Sequence, residues 1–242
     1  MKFLIRYKAG LVIALAVVTL VSCQKTFNEK TVQQKDFSNN AIVQLHVATV
    51  NASRNYLYID AEKLTGALMS TGSIFPTTGA GFMVNPGPRA FLVRDTLPTT
   101  TQVPLSFAEN LQVNKRYTIF LYDTITSPKQ KTVETTIVTP TDTSCRMRFA
   151  NFIYNPTAVT NVDVFSYSRN ANIFTNIAVT DVTGYIPYAS RVSVDTFYVR
   201  ETGTTNLLYK TSMSNLTEKR NYTFVYRGSH RGTKTSTLFS TY

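Results

Sequence analysis

An all-β protein of two tandem β-sandwich domains, immunoglobulin-like or transthyretin-like, is the fold that this sequence predicts. Apolar and polar residues alternate with a period of two along many short segments, which is typical of half-buried strands. Thr, Val, Tyr and Phe, which fit a pleated surface, are plentiful, and charged residues make up only 16% of the chain. Two sequence patterns also recur about one domain apart, which indicates a duplicated module. No long amphipathic helix is predicted.

The first 23 residues predict export and lipid attachment. A basic start precedes an apolar run over residues 11–21, which is too short to span a bilayer, since that takes about 20 apolar residues. A charged start, a short apolar run and a small residue before the cleavage point describe a secretory signal peptide. The ending LVSC (residues 20–23) resembles the bacterial lipobox. This implies removal of residues 1–22 and acylation of Cys23; the alternatives are an ordinary signal peptide or a helix lying along the membrane.

The residues after the anchor predict where the domains are held. The residue after the anchor is Gln24, not the Asp that retains lipoproteins at the inner membrane. This favours the outer membrane, on its periplasmic or its outer side. Residues 23–40 are polar after Cys23 and show no apolar period. As a flexible coil this tether holds the first domain about 20–25 Å from the anchor.

The charge of the chain argues against one class of partner. Removing residues 1–22 removes three of the 25 basic residues and no acidic one, which leaves 22 basic and 14 acidic residues and a net charge of +8. The basic residues are dispersed rather than gathered into a run that follows a phosphate backbone, so we expect no nucleic-acid partner. Anionic lipid head groups or acidic envelope polysaccharide fit the charge better than nucleic acid does. A solvated surface with no specific partner is the default interpretation.

The first predicted domain covers residues 41–138. Its strands are predicted from alternation and short apolar runs, at residues 41–48, 56–59, 90–94, 117–122 and 131–138. The sequence NPGP (residues 85–88) predicts a turn, because Pro fixes φ and Gly accepts positive φ. Residues 106–111 are predicted to form one helical turn or a corner.

An internal repeat predicts a second copy of this domain. FLVRDT (residues 91–96) returns as FYVRET (residues 197–202), 106 positions later. An element made of Asn-Leu, five residues and Tyr-Thr begins at Asn110 and again at Asn215, a shift of 105. Two matches in the same order at nearly one offset indicate duplication. The predicted domains are residues 41–138 and 145–242, with a linker at residues 139–144.

These features together resemble a known family. The lipobox, the tandem repeat, the turn VNPG (residues 84–87) before the strand FLVR, and the Asn-Leu, Tyr-Thr element are similar to domain of unknown function 4397. The likeness covers residues 41–242, once per repeat, although the second copy lacks the Pro-Gly turn. It implies an exported protein, often a lipoprotein of Bacteroidetes-type bacteria, and it brings no known catalytic residues.

Chemically reactive residues are too few and too scattered to predict catalysis, a metal site or a cofactor. His46 and His230 have no Cys, Asp or Glu at a metal-ligand spacing and are predicted to be surface residues. No nucleophile elbow, phosphate-binding loop or carboxylate pair stands out. Cys145, the only Cys after Cys23, cannot form an intrachain disulfide and is predicted to be a buried thiol. We therefore predict a protein that is not an enzyme, with a hydrolase as the least favoured alternative.

The predicted function is binding, adhesion or structure in the cell envelope. Glycan capture for a polysaccharide-uptake system is the alternative, and a protein partner is left open. The chain has no Trp, but tyrosine rings can also stack on sugars. The predicted ligand surface comprises Tyr56, Tyr58, Tyr185 and Tyr188.

Two threonines are predicted sites of modification. Thr96 and Thr124 each follow an Asp and precede an aliphatic residue. This pattern is similar to the acceptor of a Bacteroidetes-type O-glycosylation system. Both residues are therefore predicted to be O-glycosylated in such a source.

Overall fold

The computed structural model describes residues 39–77, 81–190 and 194–241, which contain β-strands, turns and no α-helix. All of these residues belong to one compact unit of the chain. The predicted signal peptide, Cys23 and most of the predicted tether lie outside the described residues. Within the described ranges, no helix has the length and apolar character needed to cross a membrane. The all-β prediction is confirmed.

Nine strands lie in the described part of the first half. They are β1 (Ala41–Val47), β2 (Tyr56–Ile59), β3 (Glu62–Lys63), β4 (Ile74–Phe75), β5 (Phe82–Val84), β6 (Gly87–Arg94), β7 (Leu105–Leu111), β8 (Arg116–Thr124) and β9 (Ser127–Glu134). Eight strands lie in the described part of the second half. They are β10 (Ser144–Tyr154), β11 (Val162–Ser166), β12 (Ala171–Ile177), β13 (Ile186–Ala189), β14 (Asp195–Glu201), β15 (Leu207–Met213), β16 (Asn221–Ser229) and β17 (Lys234–Ser240).

The strands form four sheets, each confined to one half of the chain. Sheet I has the order β3-β2-β6-β7, and sheet II has the order β4-β1-β8-β9 with β5 also paired to β1. Sheet III has the order β13-β10-β16-β17, and sheet IV has the order β12-β11-β14-β15. The pairs β1–β8 and β10–β16 are parallel, and the other pairs among the described strands are antiparallel.

Three apolar cores set the order of the layers. The first lies between sheets I and II and contains Leu45 and Phe91. The second lies between sheets III and IV and contains Phe149 and Phe197. The third joins sheet II to sheet III, where Phe120 and residues of β10, β16 and β17 meet. The molecule is thus two β-sandwiches packed together, with the sheets stacked in the order I, II, III, IV.

The repeated sequences occupy equivalent places in the two sandwiches. FLVR lies in β6, between β2 and β7, and FYVR lies in β14, between β11 and β15. In the second repeated element, the hydroxyl of Tyr117 accepts the N–H of Gln112 at 3.1 Å, and the hydroxyl of Tyr222 accepts the N–H of Thr217 at 2.9 Å. This contact corresponds to the tyrosine corner of immunoglobulin-like sandwiches. The spacing of the repeat therefore encodes a turn held by a tyrosine.

Some predicted boundaries are wrong. Residues 106–111 belong to strand β7, not to a helical turn or corner, because they pair with β6 and alternate in burial. The ring of Phe107 stacks on that of Phe91 with centres 5.1 Å apart. The strand predicted at residues 131–138 runs over residues 127–134, because the hairpin after β8 turns earlier than expected. Ser144, assigned to the linker, begins β10.

The packing of sheet II on sheet III is centred on a buried arginine. Arg148 is 2% exposed. Its Nε donates to Thr223 at 2.9 Å within its own sandwich. Its two terminal nitrogens donate to the hydroxyls of Thr118 and Thr135 in the other sandwich, at 2.9 and 3.2 Å. These bonds satisfy a guanidinium that would otherwise be costly to bury.

His46, predicted at the surface, is fully buried in the same interface. It lies on the face of β1 that points away from the first core, and that face is covered by sheet III rather than by water. Its ring stacks on Phe239 with centres 5.5 Å apart. Neither ring nitrogen has a hydrogen-bond partner among the described residues. Burial, and then the charge of Arg227, lower the pKa of His46 to about 3.

The tyrosine corners give a first prediction. Replacing Tyr117 or Tyr222 by Phe removes one hydrogen bond, so each variant should lose about 0.5–1 kcal/mol in the free energy of unfolding. Denaturant titration measures the change. Tyr56→Phe is the matched control because the Tyr56 hydroxyl has no hydrogen bond among the described residues. Equal losses in all three variants would show that the corner contributes nothing specific.

The buried histidine predicts a pH dependence. An unfolded chain protonates His46 near pH 6.5, whereas the folded protein keeps it neutral down to about pH 3. Its contribution to stability is therefore present above pH 6.5 and is lost at about 1.4 kcal/mol per pH unit below that value. We expect His46→Phe to remove this slope between pH 6 and 4, and to be no less stable at pH 7.

Chemical denaturation across this pH range measures the effect. Asp163 and Asp195 also have lowered pKa values, because hydrogen bonds to their carboxylates outweigh the effect of burial. The difference between variant and wild type isolates His46 from these carboxyls. His230→Gln, which changes the only other histidine of the chain, should keep the wild-type slope. An unchanged slope in His46→Phe would refute the assignment.

Candidate functional site

The outer faces of sheets I and IV are the best candidates for a ligand surface. In both sheets, alternate residues of the central strands fill a core, so the residues between them point outwards. Sheets I and IV are also the first and last layers of the stack, which leaves these faces uncovered by another sheet. Aromatic and basic side chains project from both of them.

On sheet I, the outer face carries two tyrosine–cation pairs. Tyr56 and Tyr58 are half-buried on β2. Lys63 Nζ lies 3.7 Å from the centre of the Tyr56 ring, and Arg94 Cζ lies 5.0 Å from the centre of the Tyr58 ring. Contacts of this kind hold a cation against the aromatic face by electrostatic attraction. Both cations are exposed.

On sheet IV, the outer face carries a larger group of rings. Arg200 Cζ lies 4.1 Å from the centre of the Phe165 ring and 5.4 Å from that of Tyr198. Phe165 and Tyr198 face each other across β11 and β14, with ring centres 6.2 Å apart. Tyr167 extends the group, with its ring centre 6.4 Å from that of Tyr198 and 68% of its surface exposed. Lys210, opposite Tyr198 on β15, adds a second cation, which is exposed, whereas Arg200 is half-buried.

The same pair of residue types recurs at equivalent positions of the two sandwiches. Arg94 ends the FLVR segment and Arg200 ends the FYVR segment. Each stacks on a ring of the neighbouring strand, Tyr58 in sheet I and Phe165 in sheet IV. Neither arginine forms an ion pair with a described carboxylate. The duplication therefore keeps a guanidinium that is oriented by an aromatic ring, exposed at Arg94 and half-buried at Arg200.

This arrangement suits carbohydrate chemistry. The C–H faces of a sugar ring pack on aromatic rings, and a guanidinium donates up to five hydrogen bonds in a fixed plane. Stacking on a ring orients that plane before a ligand arrives, which lowers the entropic cost of binding. An unpaired arginine also favours acidic groups on the ligand.

Of the four predicted ligand tyrosines, only Tyr56 and Tyr58 lie on this surface. Tyr188 is 1% exposed, because its ring packs edge-on against Phe197 in the second core. Burial, and then its hydrogen bond to Asp195, raise the pKa of Tyr188 to about 12. Its assignment to a ligand surface is wrong.

Tyr185 also points elsewhere. Its hydroxyl is bonded to that of Thr241 at 3.0 Å, and Arg148 Cζ lies 5.0 Å from its ring centre, at the edge of the packed sheets II and III. The residues that sequence reasoning missed are Phe165, Tyr167 and Tyr198. The available signals were the alternation of aromatic residues at 165 and 167, and the position of Tyr198 inside the repeated segment that ends at Arg200.

A buried polar cluster resembles a catalytic group but is structural. The carboxylate of Asp195 accepts hydrogen bonds from the hydroxyls of Ser166 and Tyr188, and from the N–H of Ser168 at 2.8 Å. Asp195 is 3% exposed and Ser166 is fully buried. The cluster contains no histidine to act as a base and lies away from solvent. It fixes the end of β11 against β13 and β14.

The remaining predicted residues are placed as follows. Cys145 is a free, buried thiol, as predicted, and burial raises its pKa to about 11. Thr96 is exposed in the connection after β6, and Thr124 is half-buried at the end of β8. Their modification stays a prediction. Among the described residues, no group of three or more His, Cys, Asp or Glu is arranged to hold a metal ion.

Comparison with known proteins gives a distant similarity to a solved structure. No protein-family model matches the chain, and no curated protein matches it either. Among solved structures, the chain is similar to CBMbc, a family CBM26 module from Eubacterium rectale Amy13K, in a crystal structure of its complex with maltoheptaose. The identity is 11% over 84% of this chain and 97% of that chain, with a TM-score of 0.25. Similarity at this level carries no inference about a ligand or an activity.

Proposed function

We propose that this chain is a non-catalytic, lipid-anchored protein of the bacterial outer membrane that binds glycans. The observation that carries the proposal is the aromatic–arginine pair on the outer faces of both sandwiches, Tyr58 with Arg94 and Phe165 with Arg200. Half-buried rings, and oriented guanidinium groups that have no ion pair with a described carboxylate, match the two sides of a sugar, its C–H faces and its oxygen atoms. The net charge of +8 after cleavage favours acidic glycans.

The proposed location rests on the N-terminal sequence. The LVSC ending supports acylation of Cys23, and the polar residues 24–40 supply a spacer of the length needed to hold the sandwiches clear of the bilayer. The tandem repeat and its tyrosine corners are compatible with membership of domain of unknown function 4397, which we also propose.

Metabolic labelling tests the anchor. Cells that express the full chain should incorporate labelled palmitate into it, and Cys23→Ala should abolish that incorporation, because the thiol is the only acceptor of the proposed diacylglyceryl group. Cys145→Ala is the matched control, since a buried thiol cannot serve as an anchor. Label that persists in Cys23→Ala would remove the lipoprotein assignment.

Affinity electrophoresis in gels that contain acidic or neutral polysaccharides tests glycan binding. We expect retardation of the full chain, strongest with acidic polymers. Tyr198→Ala and Arg200→Gln should each weaken binding about 3- to 30-fold, because an exposed aromatic or cation–π contact contributes about 0.5–2 kcal/mol. Tyr58→Ala tests the equivalent contact on sheet I.

Arg220→Gln is the control for charge alone, because Arg220 is exposed and contacts no aromatic ring among the described residues. It should retain wild-type binding. Equal losses in Arg200→Gln and Arg220→Gln would mean that general charge attraction is measured. No retardation by any polysaccharide would favour a structural or adhesive role with a protein partner.

A further inference from the structure

A cavity of about 610 Å³ opens where the two sandwiches meet, on the side of the molecule where β8, β10 and β16 end. The first sandwich contributes Val50, Asn51, Thr71 and Thr124 to its lining. The second contributes Tyr154, residues 227–229, Thr233 and Thr235. Its volume lies within the range of about 300–1,000 Å³ that is usual for small-molecule sites. The cavity is separate from the outer faces of sheets I and IV, and the inference drawn from it does not depend on them.

Arg227 is held at this cavity by contacts with both sandwiches. Its Nε donates to the hydroxyl of Thr237 at 2.7 Å, within the second sandwich. Its terminal nitrogen Nη2 lies against Gly72 of the first sandwich, so closely that a Cβ at residue 72 would collide with it. Gly72 also has a φ of +92°, a conformation that favours glycine. The absence of a side chain at Gly72 thus leaves room for the guanidinium.

The charge of Arg227 is not neutralised at the cavity. No Asp or Glu is among the described lining residues, and Arg227 forms no ion pair with a described carboxylate. Asp123, which is next in sequence to the lining residue Thr124, is paired with Lys129 at 2.8 Å. His46 provides no negative charge either, because burial and then the charge of Arg227 lower its pKa and keep its ring neutral. A half-buried cation without a counter-ion is unfavourable on its own and is stabilised by an anion that enters the cavity.

The rest of the lining consists largely of groups that bind hydroxylated ligands. Six hydroxyl-bearing side chains surround the cavity: Thr71, Thr124, Tyr154, Ser229, Thr233 and Thr235. Thr71 is already committed, since it donates to the carbonyl of Thr49 at 2.7 Å. The side chains of Tyr154, Thr233 and Thr235 have no hydrogen-bond partner among the described residues. These groups are available to exchange hydrogen bonds with ligand oxygens.

We propose that this cavity binds a sugar monoanion, with the acidic group on Arg227 and the sugar hydroxyls on Tyr154, Thr233 and Thr235. One lining cation balances one negative charge, so a carboxylate or a sulfate ester fits better than a phosphate monoester, which carries nearly two charges. The guanidinium can present two parallel N–H groups to either acid.

Isothermal titration calorimetry of the full chain with four sugars tests whether the cavity prefers a ligand with one negative charge. Glucuronate and glucose 6-sulfate should bind, and the comparison between them shows which acidic group is preferred. Glucose, which lacks the charge, should bind at least 10-fold more weakly, and so should glucose 6-phosphate. Equal binding of glucose and glucuronate, or no binding of either acid, would overturn the proposal.

Variants assign the binding to the cavity. Arg227→Gln should reduce glucuronate affinity at least 10-fold, and Arg220→Gln should leave it unchanged. Tyr154→Phe and Thr235→Val keep the charge and should each weaken binding about 2- to 10-fold, as expected for one hydrogen bond; they serve as the test if Arg227→Gln does not fold. Wild-type affinity in Arg227→Gln, or in both hydroxyl variants, would contradict this site.

A double variant distinguishes binding at the outer faces from binding in the cavity. Arg94→Gln combined with Arg200→Gln should weaken polysaccharide binding and leave glucuronate binding intact. Loss of glucuronate binding in this double variant would place the acid on the outer faces and refute the cavity. Retained cavity binding without any polysaccharide binding would refute the proposed function alone.

Discussion

The contact of sheet II with sheet III is the constraint on which the rest of the molecule depends. Two strands, β1 and β10, each give one face to a sandwich core and the opposite face to the other sandwich. At the centre, Arg148 bonds to three threonine hydroxyls and to no carboxylate. Such a network is favourable only while every bond is made, because a buried guanidinium that loses a partner bears the full cost of desolvation. It therefore fixes one relative position of the two sandwiches.

The duplicated strands have diverged at this contact. The parallel pairings of β1 with β8 and of β10 with β16 place Gln44 at the position equivalent to Arg148. Gln44 donates to the carbonyl of Ser240 at 3.1 Å, so it also bonds across the interface. His46 corresponds in the same way to Ala150. The first sandwich therefore presents an imidazole ring, which packs on Phe239 of the second sandwich, where the second sandwich presents only a methyl group. The interface is thus approximately two-fold in its backbone and asymmetric in its chemistry.

The sequence was most informative where its signal was local or repeated. The run at residues 56–59 coincides with β2, and the repeated motifs fall in equivalent strands. Prediction failed where a side chain's environment depends on another sheet. His46 alternates like a solvent-facing residue, but a second sandwich covers that face. Tyr188 was misplaced for a related reason, since sequence does not show which face of an edge strand meets the core. The place of Arg227 at the cavity could not be predicted from sequence, because it needs Gly72, 155 residues earlier in the chain.

The stacking order of the sheets has a consequence for valency. The outer faces of sheets I and IV point away from each other at opposite ends of four layers, and layers of this kind are spaced by about 10 Å, so about 30 Å of protein separates them. One short oligosaccharide cannot reach both, and the two sites gain no chelate advantage on a small ligand. Two separate polymer strands can each occupy one end. Under the proposed function, this geometry favours joining two strands of a polysaccharide mesh over holding a single strand at both ends.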